Sequence, residues 1–421
     1  MITIFGKFLA VMSVGIFYTN IPNYIHFTHG ILVPYQWVFG FGLLALPLIV
    51  WQIHTSNVLR SPVVGWCFWY MLITILWFIP SSQSDHAWQE VRWRVLTVLE
   101  LFMFLALFVQ ADTNKQVRVM LVPGVLLGVA LNLYELFFPL SFSPIIGRAA
   151  GFYMNPTTSS LALVGGMIFA ITVLPAWFRG IFILLVGVGV TVTFSRGGII
   201  MWCIASVGLL LAKKISLRDS LRGLCVGVLL VGAVLFPRWE ELLVNIDRAG
   251  VINANVEERL LWLTDPAGVQ DASGFWRAYV AKRLWDMWAE NPFLGRGTGS
   301  AYSAFEIPPH NEYLVFLIDH GVIGGLVFPL LLLAVIYRNR GKVNSISMLF
   351  GCTQAVAGFV SHTLLSEPQT LLLFALAATV PTTESDQWGS FSRISDLLSR
   401  FRQAATQTGS DTQSLRPPMA L

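Results

Sequence analysis

The sequence predicts an all-α polytopic membrane protein of about 12 transmembrane helices, with a large, partly helical loop between helices 9 and 10. Of its 421 residues, 55% are hydrophobic and only 12% are charged, whereas a soluble domain averages about 25% charged residues. So few charges cannot cover a water-facing surface, so most of the exterior is expected to face lipid. A series of apolar windows and the placement of the basic residues between them support this prediction.

Each predicted span is an apolar window close to the length that a membrane-spanning helix needs, about 20 residues. The windows are 2–19, 31–51, 62–80, 94–110, 117–138, 157–174, 180–195, 197–212, 221–236, 311–337, 344–364 and 368–381. The first is expected to be a retained helix, because Lys7 interrupts it and no small-x-small cleavage site follows. The division of 180–212 depends only on Ser195-Arg196-Gly197, and the last window is short for a span.

The basic residues predict the orientation. If the N-terminus is cytoplasmic, the five inward connections carry 11 basic residues and the five short outward connections carry four. The inward set is Arg60, Lys115, Arg118, Arg179, Lys213, Lys214, Arg218, Arg222, Arg338, Arg340 and Lys342; the outward set is Arg92, Arg94, Arg148 and Arg196. This is the positive-inside bias of inner-membrane proteins, and it supports both the helix count and a cytoplasmic N-terminus.

The one long connection, residues 237–310, lies outside by the same count and carries seven basic residues and five Trp. Long loops cross the membrane regardless of their charge, so it does not contradict the orientation. Within it, residues 275–290 are predicted to be helical, with Arg277, Val280, Leu284 and Trp288 on one face, Ser273 as N-cap and Asn291-Pro292 as the stop. The predicted organisation is therefore helices 1–9 in 1–236, the loop 237–310, helices 10–12 in 311–381, and a polar cytoplasmic tail 382–421.

Two arginines stand in unusual outward positions. Arg196 lies in Ser195-Arg196-Gly197-Gly198, between two spans that are joined almost without a loop. An Arg at mid-span costs roughly 2.5–3.5 kcal/mol on insertion scales, so it is either an interfacial side chain that reaches lipid phosphates or a guanidinium that binds a phosphate bidentately. Arg148 lies in an outward connection that ends at Asn155-Pro156, and a structural role suits it as well as an anion-binding one.

His310 precedes a span in Pro308-Pro309-His310-Asn311, where the prolines are expected to fix the helix start and place His310 near the N-cap. Histidine titrates near pH 6.5 when unperturbed and suits a general base, and a positive helix end disfavours its charged form. The alternative is an interfacial histidine with no role. The other histidines are interpreted as structural or interfacial: His26, His29, His54, His86, His320 and His362. Glu100 and Asp319 lie within spans, and the sequence shows no partner for either.

Several chemistries are not indicated. The sequence holds no Asp-x-Asp pair, no His-Glu-x-x-His and no Gly-rich phosphate loop with Lys-Ser/Thr, as a metal-dependent sugar-nucleotide enzyme or an ATPase would carry. None of the four cysteines forms a Cys-x-x-Cys pair. We therefore expect no metal, cofactor or nucleic acid. Outward arginines with one placed histidine are typical of a site for a membrane-embedded diphosphate and a hydroxyl activated by a base.

Four motifs resemble those of the O-antigen ligase and O-antigen polymerase superfamily, which are bacterial inner-membrane glycosyltransferases. They are the stretch Arg148 to Pro156, Ser195-Arg196-Gly197-Gly198, the pattern from Arg277 to Asn291-Pro292, and His310-Asn311-Glu312-Tyr313-Leu314 with Gly321-Val322-Ile323-Gly324. The resemblance implies transfer of O-antigen from undecaprenyl diphosphate to a sugar hydroxyl of lipid A–core, with inversion, in lipopolysaccharide biosynthesis. The site would face the periplasm and use neither nucleotide nor metal.

Residue roles follow from the same resemblance. It implies that His310 is the general base and that Arg196 and Arg277, with Arg148, bind the diphosphate, while Asn311, Arg259 and Arg283 support them. The loop has three candidate arginines, Arg259, Arg277 and Arg283, and Ala281 stands where the family often has an aromatic residue. The spacing to Pro292 favours Arg277.

Two other functions stay open. The large loop before His310 favours the ligase over the polymerase. A lipid-linked sugar transporter is expected to show inverted repeats and polar or discontinuous helices near the midplane, whereas the unusual residues here gather at the outer surface. The expected partners are therefore the undecaprenyl-diphosphate-linked donor, the lipid A–core acceptor and membrane lipids.

Overall fold

The computed structural model describes residues 2–219, 221–223, 225, 256, 257, 261, 272–303, 309–337 and 343–381. The regular elements in these ranges are helical, and one isolated bridge joins Tyr337 and Val343. The helices are α1 (Ile2–Ser13), α2 (Ile21–His29), α3 (Pro34–Thr55), α4 (Pro62–Phe78), α5 (Asp85–Phe108), α6 (Ala111–Phe137), α7 (Pro156–Ala170), α8 (Ala176–Thr191), α9 (Arg196–Leu211), α10 (Ala272–Glu290), α11 (Ser300–Ser303), α12 (Glu312–Gly324), α13 (Val327–Ile336), α14 (Ser345–Ala357) and α15 (Pro368–Thr379). The predicted tail 382–421 and almost all of the predicted span 221–236 lie outside the described residues.

Several helices are suited to crossing a membrane. Among the described residues, three stretches are long and apolar enough by themselves: α3, α6 and Pro156–Val173. Two more spans result if each bent pair counts as one, namely Ile2–Tyr18 with α2, bent by 47°, and α12 with α13, bent by 85°. Shorter apolar helices are α4, α8, α9, α14 and α15. The all-helical, multi-pass architecture is confirmed, and the count of twelve spans stays a prediction.

The outer surface of the bundle is apolar. Large hydrophobic side chains point away from the protein on α1, α3 and α4, where Ile4, Leu43 and Phe68 are 75%, 72% and 73% exposed. In water such a surface would be a large unfavourable patch, whereas lipid solvates it. Because backbone groups in lipid must be satisfied within the protein, the helical architecture follows from the same environment.

Two helices form the centre of the bundle. All residues of α7 except Thr157 are buried, and so are nearly all residues of α15, which packs against α5. Small residues let these helices approach closely: a Cβ placed on Gly165 of α7 would lie 2.7 Å from the side chain of Leu373 of α15. The centre therefore forms a rigid support for the connections at one end of the helices.

The predicted span 311–337 is broken in two. Gly321 has a φ of +63°, and the chain turns by 85° between α12 and α13. The segment after α10 fills the break, since Val322 N donates to Pro292 O at 2.8 Å and Arg296 N donates to Ile318 O at 2.8 Å. The hydropathy of 311–337 is continuous, so the break is visible only in the run of glycines Gly321, Gly324 and Gly325. This packing places α10 against α12.

Substitution of Gly321 tests the break. A Cβ at this position would lie 2.2 Å from Phe293 O, and the positive φ is strained for any other residue. We expect Gly321→Ala to lower the free energy of unfolding by at least about 1–3 kcal/mol, seen as a lower Tm in detergent. Gly40→Ala on α3 is the control, because nothing lies within 4 Å of its Cβ. An unchanged Tm for Gly321→Ala would contradict the described packing.

Candidate functional site

His310 lies immediately before the first turn of α12. Asn311 is the N-cap, and its side-chain oxygen accepts a hydrogen bond from Leu314 N at 3.1 Å. His310 itself has a φ of +49°, in the left-handed region that non-glycine residues rarely adopt. The prediction that His310 stands at the start of a helix is confirmed, one position before the N-cap, which is Asn311.

A second histidine, His362, faces His310. The two rings meet edge to face, with centroids 5.1 Å apart. The loop that carries His362 is held to α12, because Glu312 N donates to Gly358 O at 2.8 Å and the Glu312 carboxylate accepts from Leu364 N at 3.3 Å. The sequence had assigned His362 no more than a structural or interfacial role. Its position 52 residues after His310 gives no pattern that sequence reasoning could have used.

Arg277 lies on α10, near both histidines. The apolar face of α10 packs on α12 through Val280 and Leu284, which join Val315 and Ile318 in one buried cluster. The pKa of His310 is lowered from 6.5 to about 4, mainly because the side chain is buried and also because the positive charge of Arg277 is near. Burial, His310 and Arg277 together lower the pKa of His362 to about 4. At neutral pH both imidazoles are therefore uncharged and able to accept a proton.

The helix α10 confirms the predicted element with one difference. It begins at Ala272 and ends at Glu290, so Asn291-Pro292 ends it as predicted, whereas Ser273 lies inside the helix and is not its N-cap. Arg283 is exposed on this helix. Arg259 lies outside the described residues. Of Arg277 and Arg283, the two loop arginines that the structure describes, Arg277 is the one whose charge acts on the histidine pair.

Arg196 is the first residue of α9, where the chain passes from one apolar helix to the next. Ser195 caps this helix, since its hydroxyl accepts from Gly198 N at 3.2 Å. The two glycines allow close packing: a Cβ on Gly197 would lie 3.1 Å from the side chain of Val360, and one on Gly198 would lie 2.4 Å from Ser160. Because Val360 is two residues from His362, the start of α9 lies beside the loop that carries this histidine.

Arg148 lies against the turn that precedes Arg196. Its Nε donates to Thr193 O at 3.1 Å, and Ala149 N donates to Val192 O at 3.2 Å. Arg148 is 8% exposed. The structure therefore brings Arg148 to the turn that precedes Arg196, although 48 residues separate the two arginines along the chain.

A buried carboxylate, Glu135 at the end of α6, organises the loop of Arg148. One oxygen accepts from Phe142 N and Ser143 N, and the other accepts from Ala150 N at 2.7 Å and Gly151 N at 3.0 Å. Four backbone donors satisfy a carboxylate without a counter-ion. Sequence reasoning missed Glu135; an acidic residue near the end of an apolar window was the available signal.

A second polar cluster lies beneath the histidine pair. Arg94 of α5 is 2% exposed; its Nη2 contacts Asp319 Oδ2 at 2.6 Å, and its Nη1 contacts His320 Nε2 at 2.7 Å. Asp319 also accepts from Gly299 N and Ala301 N, both at 3.0 Å. The sequence had shown no partner for Asp319 and had placed Arg94 at the outward end of a span. The helix α5 begins at Asp85, nine residues before the predicted window.

A cavity of about 670 Å³ opens between α4, α5, α12 and the loop after α14. The residues that line it include His86, Glu90, Arg94, Tyr302, Glu312 and His362. His362 thus forms part of the wall, and its ring contacts that of His310, which does not line the cavity. Within the described ranges, no three His, Cys, Asp or Glu side chains are grouped in a way that could hold a metal ion.

Titration of the histidines tests this geometry. In lipid nanodiscs, NMR of histidine-labelled protein should show that the pKa of His310 is about 4, well below the ordinary 6.5. Arg277→Gln removes a nearby positive charge, so it should raise the pKa of both His310 and His362. The exposed Arg283→Gln on the same helix is the control and should leave the pKa of His310 where it is. A pKa of His310 near 6.5 in the unmodified chain would contradict the arrangement.

Comparison with known proteins identifies part of the chain. Residues 180–329 match the family model described as O-antigen ligase. The match supports membership of the chain in the O-antigen ligase and polymerase superfamily and confirms the resemblance drawn from the motifs. The matched range contains Arg196, Arg277 and His310, whereas Arg148 and His362 lie outside it. No curated protein and no solved structure matches the chain.

Proposed function

We propose that this protein is an inverting glycosyltransferase that moves O-antigen from undecaprenyl diphosphate to a sugar hydroxyl of lipid A–core, at the periplasmic face of the bacterial inner membrane. The observation that carries the proposal is the position of His310, which is uncharged at neutral pH, lies in ring contact with His362 of the cavity wall and is within reach of the charge of Arg277. The family match, which covers Arg196, Arg277 and His310, supports the same class of reaction.

In the proposed reaction His310 acts as general base. Its imidazole takes the proton of the acceptor hydroxyl while the oxygen attacks the anomeric carbon of the donor. The bond from that carbon to the diphosphate breaks, and its electron pair goes to the diphosphate oxygen. The new glycosidic bond forms on the opposite face of the sugar, which inverts the anomeric carbon. The proton on His310 then passes to water or to the released diphosphate.

The arginines would stabilise the charge that develops on the leaving diphosphate. Arg277 lies on α10, Arg196 is the first residue of α9, and Arg148 contacts the turn before α9. Fixed guanidinium groups in a site of low dielectric stabilise phosphate oxygens strongly and bind them bidentately. We assign this role to the three arginines and assign no metal or cofactor.

One observation favours a second function, transport of a lipid-linked sugar. The pair α12 and α13 is a discontinuous span with a buried Arg94–Asp319 pair beside it, and both features are expected of transporters. However, the backbone of Phe293–Gly295 fills the break at Gly321, and Asp319 already binds Arg94 and two backbone N–H groups. These contacts favour a structural role for the break, so the transferase is the preferred proposal.

Removal of the base tests the proposal. We expect His310→Ala to reduce transfer to lipid A–core by about 10²–10⁴-fold, while the protein still inserts and binds the donor. His54→Ala, at an exposed histidine on α3, should leave transfer unchanged. Membranes that hold equal amounts of each variant would be assayed with purified donor and acceptor. Normal transfer by His310→Ala would remove His310 from the mechanism.

A matched pair of variants on α10 tests whether Arg277 binds the leaving group. Because Arg277 would bind the leaving group, Arg277→Gln should lower kcat for transfer by about 10²–10³-fold. Arg283→Gln removes the same charge from the same helix at an exposed position, and we expect a change of less than about threefold. Equal losses in the two variants would show that the overall charge of α10, rather than a contact of Arg277, matters.

A further inference from the structure

We propose that the cavity of about 670 Å³ beside the histidine pair holds the acceptor, and that it selects a neutral, hydroxyl-rich sugar through the carboxylates of Glu90 and Glu312. The inference rests on the proposed function, since it places the acceptor of that reaction. It goes further in naming the chemical class of the sugar that receives the new bond.

The cavity lies where an acceptor must be. His362 lines it, and the ring of His310 contacts that of His362 at a centroid distance of 5.1 Å. Arg277 does not line the cavity, although its charge reaches both histidines. A hydroxyl that enters from the cavity would therefore approach the histidine pair from one side, while a diphosphate bound by Arg277 would lie on another.

The walls of the cavity combine aromatic rings with hydrogen-bonding groups. Tyr70, Trp93, Tyr302 and Phe316 line it together with the polar side chains. Ligand sites are commonly lined by aromatic groups with a few polar groups that fix the orientation. A sugar ring presents C–H bonds on its faces and hydroxyls at its edge, and such a wall complements both.

The charges of the cavity favour hydroxyl donors. Glu312 is 3% exposed and accepts from Leu364 N, and Glu90 lies 3.6 Å from Arg94 Nε. The charge of Arg94 is already balanced by Asp319 at 2.6 Å. The carboxyl groups of Glu90 and Glu312 carry acceptor oxygens, so the hydroxyls of a sugar can donate to the positions that these contacts leave open.

The same charges disfavour an anionic ligand. A phosphate or sugar acid in the cavity would meet the carboxyl groups of Glu90 and Glu312, while the one guanidinium in the wall, that of Arg94, is already paired with Asp319. Charges interact strongly where water is excluded. Phosphorylated parts of the acceptor would therefore stay outside the cavity, and the sugar that enters it would be uncharged.

The test uses the full chain in liposomes, with lipid-linked donor and two acceptors that differ only in phosphorylation of the terminal sugar. We expect the unmodified chain to prefer the neutral acceptor. Glu90→Gln should raise the KM for the neutral acceptor about ten- to hundredfold, as loss of hydrogen bonds to a charged group would. It should also reduce the preference for the neutral over the phosphorylated acceptor. The KM for the donor should stay the same. Asp85→Asn removes an exposed charge from the same helix outside the cavity and serves as control.

Trp93→Phe is a second variant, which keeps a ring in the wall while it removes part of the surface. It should raise the acceptor KM without changing the neutral-over-phosphorylated preference. If Glu90→Gln and Asp85→Asn give the same acceptor KM and the same preference as the unmodified chain, the assignment of the cavity is overturned.

Calorimetry with a soluble, neutral core oligosaccharide and no donor separates this inference from the proposed function. Binding that Glu90→Gln weakens, in a chain that transfers nothing, would support the cavity and overturn the transferase. Transfer by the unmodified chain with binding insensitive to Glu90→Gln would overturn the cavity and leave the transferase. If the unmodified chain shows no binding and no transfer, both the cavity assignment and the transferase are overturned.

Discussion

The site depends on one buried ion pair, between Arg94 of α5 and Asp319 of α12. Both side chains are at most 2% exposed, and the Asp319 carboxylate also accepts from the backbone of Gly299 and Ala301. One carboxylate thus joins α5, the helix that follows His310, and the segment that follows the helix of Arg277. Loss of one member of such a pair leaves a buried charge uncompensated, which typically costs about 3–5 kcal/mol. The packing of α12 against α5, and the part of the cavity wall formed by Arg94, therefore depend on this contact.

A second buried carboxylate, that of Glu135, holds together the part of the site that contains Arg148 and Arg196. Glu135 binds four backbone N–H groups of the loop before α7, and this loop carries Arg148 to the turn that precedes Arg196. In both places an acidic residue inside an apolar bundle is stabilised by backbone donors rather than by solvent. Polar residues in membrane segments are costly unless paired, so their partners fix loops that would otherwise have little to hold them.

Much of the architecture follows from the sequence, because hydropathy and charge placement are local properties. The helix over 272–290, the helix start after His310 and the turn at Arg196 all have short-range signals, namely periodicity, prolines and glycines. The contacts that assemble the site have no such short-range signal in the sequence. Arg94 and Asp319 are 225 residues apart in the chain, His362 lies in a loop with no motif, and Gly321 breaks a span whose hydropathy is continuous. The hydropathy window also began too late in α5, because the first turns of this helix are charged. Their residues Glu90 and Arg94 face a cavity rather than lipid.

The central claim is that the chain itself catalyses glycan transfer to lipid A–core. The most direct measurement is a reconstituted assay with purified protein, given the lipid-linked glycan either with lipid A–core or alone. The proposed function predicts a glycosylated lipid A–core in the first reaction, and a lipid-linked glycan of unchanged length in the second. Longer lipid-linked glycan in the second reaction would identify a polymerase. Movement of the donor across the bilayer with no new glycosidic bond in either reaction would contradict the transferase and favour transport.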